Sequence, residues 1–459
     1  IMWTQYSIAG NPKKVLYLVI VAGLFTFFVL RLCFFSYRIS PEIPPDELQH
    51  VGLAHHFSNY WLLPNDTPSS YHLGPVKGSP YLYYLILGKC LRLKPAVVNS
   101  ILFLRMVNCA MSILTVLLSF VLVSELTRSR IARVFFLTLM TNTPMFTFLS
   151  ATVNYDNLVN LLSVLAFLFF VRFVNMGGLS RLTICAIFLL LGCITKKSFL
   201  PVALIMTVLS VYHLKISRYD LRRALHGFTP KRALLVLALC LSTYMATDLL
   251  LGNLMLYGRI IPRPEQVLGM DNALKQRDYA RDMLVSWFSE GRLTYDDALK
   301  ATDMISHRGD RMDAMLILAT LQENKVSGKK PLNLLAYSVE WAKVMVLRIY
   351  GIAGHRQMLK SGILHLSYVL SILAMLSLSI WSAVQGTQPT SAGYCIVISV
   401  FYAMFLLLGV NYPKYSETHA IGIALQGRYL FPVLCLIYAF FSTGVLSLRS
   451  QWFKYCLCC

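Results

Sequence analysis

The stretch VLYLVIVAGLFTFFVLRLCFFSY, residues 15–37, is an apolar run that can cross a lipid bilayer as a helix. At about 1.5 Å per residue, it exceeds the roughly 30 Å of hydrocarbon in a membrane. The whole chain of 459 residues is 56% hydrophobic and only 14% charged, with a mean hydropathy of +0.59. A water-soluble domain needs more polar surface than this. The composition therefore predicts a polytopic membrane protein.

Further apolar runs follow the first, and together they predict an all-α transmembrane bundle of about ten spans. The runs are 15–37, 100–126, 131–150, 154–175, 180–195, 198–214, 232–256, 362–384, 393–412 and 428–448. The net charge of +21 comes from basic residues in the short loops between runs, which explains the charge without a nucleic-acid partner. Because basic loops stay cytoplasmic, alternating spans place both termini in the cytoplasm. We expect an integral protein of a bacterial inner membrane.

This topology divides the chain into three parts. An N-terminal transmembrane module, 1–256, contains a long first outer loop at 38–99 with juxtamembrane helices. A small outer helical subdomain, 257–361, mixes acids and bases at helical spacing, and Thr294 is a predicted N-cap within it. A C-terminal transmembrane module covers 362–459.

The stretch 336–355 is apolar enough to suggest an additional span. It carries Glu340, Lys343 and Arg348, which are costly at the centre of a bilayer. We therefore expect an amphipathic helix on the outer surface instead.

The first outer loop contains the acidic motif PPDELQH at 44–50. Its prolines stop the preceding helix, and a new helix can begin near Asp46. On that helix Asp46, Glu47 and His50 share one face. Acids near a helix N-terminus also act as caps, but two acids and a same-face histidine exceed what capping requires. A partly desolvated carboxylate beside a membrane can accept a proton from a hydroxyl or orient it.

The same motif partly matches the zinc-protease pattern HExxH. Position 46 is aspartate, however, where that pattern requires its first histidine, and a zinc site needs at least three protein ligands. We therefore expect no metal site; a divalent metal is compatible with the chemistry but not required.

Two turns between later spans carry charged residues on the same predicted outer side. VNYDN places Asp156 at the mouth of a span, where the alternative interpretation is a turn and N-cap. TKKSF places Lys196 and Lys197 against the positive-inside trend. Two adjacent cations can bind a phosphate, although lipid headgroup anchoring is the alternative.

Two aromatic and basic segments complete the candidate binding residues. QGRYLFP begins the last span with Gln426, Arg428 and Tyr429, where Arg428 can clamp a phosphate and Gly427 can let the backbone approach a ligand. An Arg–Tyr pair is also an ordinary interfacial anchor. In the first outer loop, His72 can bind polar groups and Tyr83 can stack on a sugar ring, although such tyrosines usually belong to the membrane-interface belt.

The order and common side of PPDELQH, VNYDN, TKKSFLP and QGRYLFP resemble the GT-C glycosyltransferases. The nearest likeness is to a branch of bacterial membrane proteins often labelled only as a domain of unknown function. The likeness covers residues 15–256 and 362–448, whereas the helices near 265–330 match no pattern.

This resemblance implies an inverting transfer of a sugar from a polyprenyl-phosphate carrier to a glycan, lipid-linked or protein acceptor at the outer face. Modification of an O-antigen or another cell-surface polysaccharide would fit. Asp46 would be the general base or orient the acceptor, supported by Glu47 and His50. Asp156 would be a second substrate contact. The phosphate would be held by Lys196, Lys197 and Arg428.

The main alternative is a transporter or a flippase for lipid-linked sugars. Such a protein should carry ionisable residues or broken helices near the membrane midplane, together with an internal repeat. The ionisable residues collect instead at the predicted outer mouth, with Arg31, Arg105 and Asp248 as exceptions.

Overall fold

The computed structural model describes residues 12–216, 229–305, 307–350, 362–423 and 425–458, and within these ranges all regular secondary structure is helical. The predicted all-α class is confirmed. The α-helices are α1 Pro12–Arg38, α2 Glu47–Ser58, α3 Leu82–Arg92, α4 Ser100–Leu126, α5 Arg130–Asn142, α6 Pro144–Ser150, α7 Asp156–Met176, α8 Leu179–Cys193, α9 Leu200–Ile216, α10 Pro230–Tyr257, α11 Pro264–Leu268, α12 Met270–Ala273, α13 Arg277–Ser289, α14 Tyr295–Ala301, α15 Arg308–Ser327, α16 Leu334–Tyr350, α17 Gly362–Val384, α18 Thr390–Phe405, α19 Tyr412–Thr418 and α20 Phe431–Cys458.

Within the described ranges, 8 helical segments are long and apolar enough to cross a membrane. They are Pro12–Arg38, Ser100–Leu126, Asp156–Met176, Lys197–Ile216, Pro230–Tyr257, Leu366–Val384, Ser391–Thr418 and Gly427–Leu446. The segments from α7 and α20 are each 72% buried, whereas that of α1 is only 11% buried. The first two are therefore central in the bundle, and α1 lies at its periphery.

Two of the expected spans are built differently from the others. The run 131–150 is divided into α5 and α6, because Thr143 is extended and Pro144 begins the second helix. Proline lacks a backbone N–H and disfavours a helical residue before it. The run 180–195 forms α8, which has 15 residues and so extends roughly 22 Å, less than the hydrocarbon thickness.

The first loop, residues 38–99, contains two short helices that pack on each other. Pro44 and Pro45 precede α2, which begins at Glu47, as the sequence predicts. Helix α3 packs closely on α2 at Gly88, where an added Cβ would lie 2.8 Å from the Phe57 carbonyl carbon. This pair of helices holds the acidic motif against the end of the bundle.

The helical subdomain, defined here as residues 264–327, comprises α11 to α15. It has its own small core, formed by Leu284, Phe288, Ala298, Ile305, Ala314 and Leu318. The predicted N-cap is confirmed, since Thr294 Oγ1 accepts from the Asp297 N–H at 3.2 Å. The subdomain can therefore hold the side chains of α13 and α15 in fixed positions.

Residues 336–350 of the stretch that suggested an additional span belong to α16, which has 17 residues, and 351–355 lie outside the described residues. It buries one face, in which Tyr337, Trp341, Met345 and Ile349 recur every four residues. It is not among the membrane-crossing candidates of the described chain. Its position on the membrane surface stays a prediction.

Candidate active site

A buried ion pair organises one end of the bundle. Arg105 of α4 donates through Nε and Nη2 to both carboxylate oxygens of Glu47, at 2.9 and 2.5 Å. Its Nη1 donates to the carbonyls of Ser36 and Ile39 at the end of α1, at 2.8 and 2.7 Å. Glu47 also accepts from the Val153 N–H at 2.7 Å. The pair therefore joins α1, α2, α4 and the loop before α7.

Asp46 lies immediately before this pair but has different neighbours. Its backbone is left-handed, with φ of 61°, a conformation that aspartate tolerates better than most residues. One carboxylate oxygen lies 3.3 Å from Arg428 Nη2, and the other accepts from Arg277 Nη2. The Asp46 side chain is 32% exposed, so it is a carboxylate that solvent and ligands can reach.

Asp156, Lys196 and Arg428 form a buried group next to Asp46. Lys196 Nζ lies 2.5 Å from Asp156 Oδ1, and Arg428 Nη1 lies 3.8 Å from Asp156 Oδ2. The Lys196 ammonium also lies 4.5 Å from the ring centroid of Tyr155 and 5.4 Å from that of Tyr429. Aromatic faces favour a cation in this position. Residues from four separate stretches of the sequence therefore meet at one site.

The charge cluster, defined as Asp46, Asp156, Lys196, Arg277 and Arg428, has three cations and two carboxylates. Within this cluster, Arg428 Nε and Nη1 and Asp156 Oδ2 are buried without a hydrogen-bond partner, and they are among several such atoms in the described residues. Buried polar atoms are normally satisfied, and exceptions often mark functional sites. Arg277 also pairs with Asp278 and Asp310. Among the three buried members, however, two cations, Lys196 and Arg428, share one carboxylate, Asp156. This buried group with its unsatisfied donors suits an additional anion.

His50 lies beside this cluster and is buried. Its Nδ1 is 2.8 Å from Tyr84 Oη, and its ring packs edge-on against Tyr155 with centroids 4.7 Å apart. Burial lowers the pKa of His50 to about 4, against the opposing charge of Asp46. The imidazole is therefore neutral at pH 7, and it packs against Tyr155 without adding charge to the cluster.

The ionisation of Asp46 follows from its partners. Burial by itself raises the pKa of Asp46, but the charges of Arg428 and Arg277 outweigh burial and hold that pKa well below its usual range. The carboxylate is therefore an anion that is a weak base while both arginines contact it. It becomes more basic if an incoming anion engages the arginines.

Other candidate residues lie apart from the cluster. In the described chain, the side chains of His72, Lys197 and Gln426 form no hydrogen bond or ion pair with its five charged groups. Lys197 is exposed, in contrast to the buried Lys196. Tyr83 is fully buried and donates to Asn108 Oδ1 at 2.9 Å, so its ring is packed inside the protein.

Gly427 serves a packing role that differs from the expected approach to a ligand. An added Cβ would lie 2.6 Å from Ile349 Cγ1 and 2.8 Å from the Arg348 carbonyl carbon. The glycine therefore lets the beginning of the last span contact the backbone of α16. The approach of this backbone to a ligand stays a prediction.

Arg277 is a member of the cluster that the sequence did not indicate. It begins α13 in the helical subdomain and lies 231 positions from Asp46. Its Nη1 is also 3.4 Å from Asp310 Oδ2 on α15. In the sequence it belongs to a mixed-charge stretch typical of a solvated helix, and no local signal distinguishes it. The contact shows that the subdomain contributes directly to the site.

A cavity of about 770 Å³ opens beside Asp46, between the end of α1, the following loop and the subdomain. Its lining is Phe34, Phe35, Arg38, Ile39, Pro41, Glu42, Ile43, Pro44, Pro45, Asp46, Glu47, Leu48, Gln49, Phe148, Arg277, His307, Arg308, Gly309, Asp310 and Met312.

No group of three or more His, Cys, Asp or Glu side chains that could hold a metal ion occurs in the described part of the chain.

Residues 71–268 match the model of a protein family described as "Predicted membrane protein (DUF2142)". This match confirms the likeness to membrane proteins labelled as a domain of unknown function. It covers α3 to α11 and the turn that carries Lys196, whereas Asp46 and Arg428 lie outside it. No curated protein matches the sequence.

The chain is also similar to solved structures of membrane enzymes. The archaeal oligosaccharyltransferase AglB from Archaeoglobus fulgidus, in complex with an inhibitory peptide and a dolichol-phosphate, is 14% identical with a TM-score of 0.44; the similarity covers 96% of this chain and 52% of that one. ArnT from Cupriavidus metallidurans, bound to undecaprenyl phosphate, is 12% identical with a TM-score of 0.37, over 96% and 79% of the two chains. The chain thus spans about half the length of the oligosaccharyltransferase. The function is therefore inferred below from the residues of the site itself.

Proposed function

We propose that this protein is an inverting glycosyltransferase that moves a sugar from a polyprenyl-phosphate carrier to an acceptor hydroxyl. The observation that carries the proposal is the charge cluster. It places a surplus of buried cations next to Asp46, a carboxylate that also borders a cavity. Cations suit a departing phosphate, and the accessible carboxylate suits an attacking hydroxyl. One site therefore has groups suited to the departing phosphate and to the attacking hydroxyl.

The reaction is a single displacement at the anomeric carbon of the sugar. The acceptor oxygen forms the new glycosidic bond while the bond to the carrier phosphate breaks, and the phosphate leaves with the bonding electron pair. Asp46 accepts the proton of the acceptor hydroxyl. Lys196 and Arg428 stabilise the negative charge that develops on the phosphate.

Phosphate binding also changes the basicity of Asp46. Arg428 contacts both Asp46 and Asp156 in this structure. A phosphate that engages Arg428 weakens its contact with Asp46, which raises the pKa of that carboxylate. Donor binding thereby prepares Asp46 to accept a proton. Glu47 takes no part in this exchange, because Arg105 and Val153 hold it.

The proposal retains the predicted orientation and domain division. The site would lie on the outer, periplasmic face of a bacterial inner membrane, since the sequence predicts basic cytoplasmic loops at the opposite ends of the spans. The first loop at 38–99 and the subdomain would cover it, and the transmembrane modules 1–256 and 362–459 would anchor it. Cell-surface polysaccharides, including O-antigen, are suitable acceptors on that face.

The decisive experiment is a transfer assay with the Asp46→Asn variant in proteoliposomes. A panel of polyprenyl-phosphate sugars serves as donor, a native membrane extract supplies acceptors, and released polyprenyl phosphate is measured. Loss of a general base lowers rates by about 10²- to 10⁴-fold, and asparagine tolerates the left-handed backbone. We expect a rate loss of that size in protein that still folds and inserts, with a lower Tm because asparagine no longer neutralises Arg428 and Arg277.

Asp296→Asn is the matched control, because it removes an exposed carboxylate at the beginning of α14. It should transfer at the wild-type rate. Full activity of the Asp46→Asn variant, or release by the wild type from no donor in the panel, would overturn the proposal.

A further inference from the structure

The residues proposed to act on the acceptor and those proposed to bind the donor differ in their access to the cavity. Asp46 lines the cavity with a side chain that is 32% exposed. Lys196, Asp156 and Arg428 are buried and are absent from the cavity lining. An acceptor hydroxyl must reach Asp46, whereas the donor phosphate must reach Lys196 and Arg428. The cavity therefore lies on the acceptor's side of the site.

The charged groups around the cavity balance each other. Its lining includes Arg38, Arg277 and Arg308, and against them Glu42, Asp46 and Asp310; Glu47 is neutralised by Arg105. The cavity lining thus carries no surplus charge. Carboxylates and guanidinium groups together supply acceptors and donors for hydroxyls. These walls fit a neutral, polyhydroxylated group better than a polyanion.

One wall of the cavity is apolar and continues toward lipid. Phe34, Phe35 and Ile39 line it at the end of α1, together with Phe148 of α6. Phe34 is 59% exposed on a helix that lies at the edge of the bundle. An apolar wall that reaches the lipid-facing surface suits a ligand with a hydrocarbon chain. A soluble glycan or a folded protein would leave this wall uncovered.

From these three observations, we infer that the cavity binds the acceptor and that this acceptor is a lipid-anchored glycan with a neutral, polyhydroxylated headgroup. The headgroup lies between the first loop and the subdomain, and the lipid chain leaves along the end of α1. This inference rests on the proposed function and narrows its acceptor to one class.

Photo-cross-linking of the full-length protein in native membranes tests the inference. A benzoylphenylalanine replaces Met312, which lines the cavity and is 55% exposed. The control replaces Leu316, one turn later on α15, which is 57% exposed and outside the cavity lining. We expect an adduct at Met312 that partitions into organic solvent and carries sugar mass, and no such adduct at Leu316.

Other adducts would overturn the inference in recognisable ways. A polyprenyl-phosphate sugar at Met312 would mean that the donor occupies the cavity, which leaves the proposed function intact. A protein adduct, a water-soluble glycan, no adduct, or identical adducts at both positions would also reject the lipid-anchored acceptor. Failure of the proposed function has a separate signature, namely no release of polyprenyl phosphate by the wild type.

A cavity-filling variant supplies a second test without cross-linking. Ile43 lines the cavity and is 48% exposed, so Ile43→Trp changes its volume without disturbing the core. Steric changes in a binding pocket typically alter rates by roughly 10- to 200-fold. We expect a loss in that range for acceptor-dependent release, with undecaprenyl phosphate binding unchanged. Equal loss of acceptor-dependent release and of undecaprenyl phosphate binding would contradict the inference. So would the absence of any loss in either measurement.

Discussion

Asp46 and Glu47 are neighbours in the chain, yet their carboxylates have opposite surroundings. Glu47 receives two N–H groups from one guanidinium and a third from the backbone, and the same guanidinium is satisfied by two carbonyls. Asp46 belongs to a cluster with surplus cations and unsatisfied buried donors. A satisfied buried pair fixes the architecture, whereas unsatisfied buried charges identify a candidate ligand site.

The Glu47–Arg105 pair should contribute to the stability of the folded protein. Replacement of Arg105 by leucine leaves the Glu47 carboxylate buried without a counter-ion, and loss of one partner of a buried pair costs about 3–5 kcal/mol. We expect a lower Tm for the purified protein in detergent and a lower yield of folded protein. This is the largest stability effect among the variants considered.

The matched control for this variant removes both charges together. The double variant Glu47→Gln with Arg105→Met leaves no unpaired buried charge, so it should be more stable than Arg105→Leu. Equal instability of the two variants would show that the charge of the pair is not what stabilises this end of the bundle.

The charge cluster should contribute to the binding of the carrier phosphate. Lys196→Met removes a buried cation, and a hydrogen bond to a charged group contributes about 1.5–3 kcal/mol, or roughly 10- to 100-fold in affinity. We expect the Kd for undecaprenyl phosphate to rise by that factor in a titration followed by native mass spectrometry.

Lys197→Met is the neighbouring comparison, because Lys197 is exposed and has no contact with the cluster in the described chain. Its effect on the same Kd should be smaller. If both substitutions weaken binding equally, the lysines attract phosphate only through general surface charge and the buried position is unimportant.

The neutral state of His50 predicts that the stability of the protein falls as the pH is lowered. The pKa of His50 is about 4 in the folded protein and 6.5 in the unfolded chain, so the unfolded chain binds the proton first as the pH falls. The contribution of His50 is complete above about pH 6.5 and declines toward pH 4. His50→Gln should flatten the dependence of Tm on pH in this window, whereas His55→Gln on the exposed face of α2 should not.

The sequence was sufficient to predict much of the site. The proline pair before Asp46, the alternation of spans and the side of the basic loops predicted that Asp46, Asp156, Lys196, Arg428 and Tyr429 lie at one end of the bundle. These features could be recognised because apolar length and charge sidedness are local properties of a membrane chain. The roles of the individual residues stay predictions.

Contacts between distant segments could not be predicted in this way. Spacing on a helix placed Glu47 and Asp46 on one face, but it could not show that Arg105 holds Glu47. Nothing local distinguishes Arg277 from the other arginines of the subdomain, and the burial of Tyr83 depends on how α3 packs against α4. Each of these contacts depends on how helices that are distant in the sequence pack against each other.

The sequence by itself therefore determined that this is a polytopic helical membrane protein with an acidic and basic site at one end. The physical reason is that hydrocarbon accepts only long apolar helices and repels charge. Only the tertiary structure decided which charges neutralise each other, which cation is in surplus and which carboxylate borders the cavity. Those properties depend on distances of a few ångströms between residues that lie up to 382 positions apart.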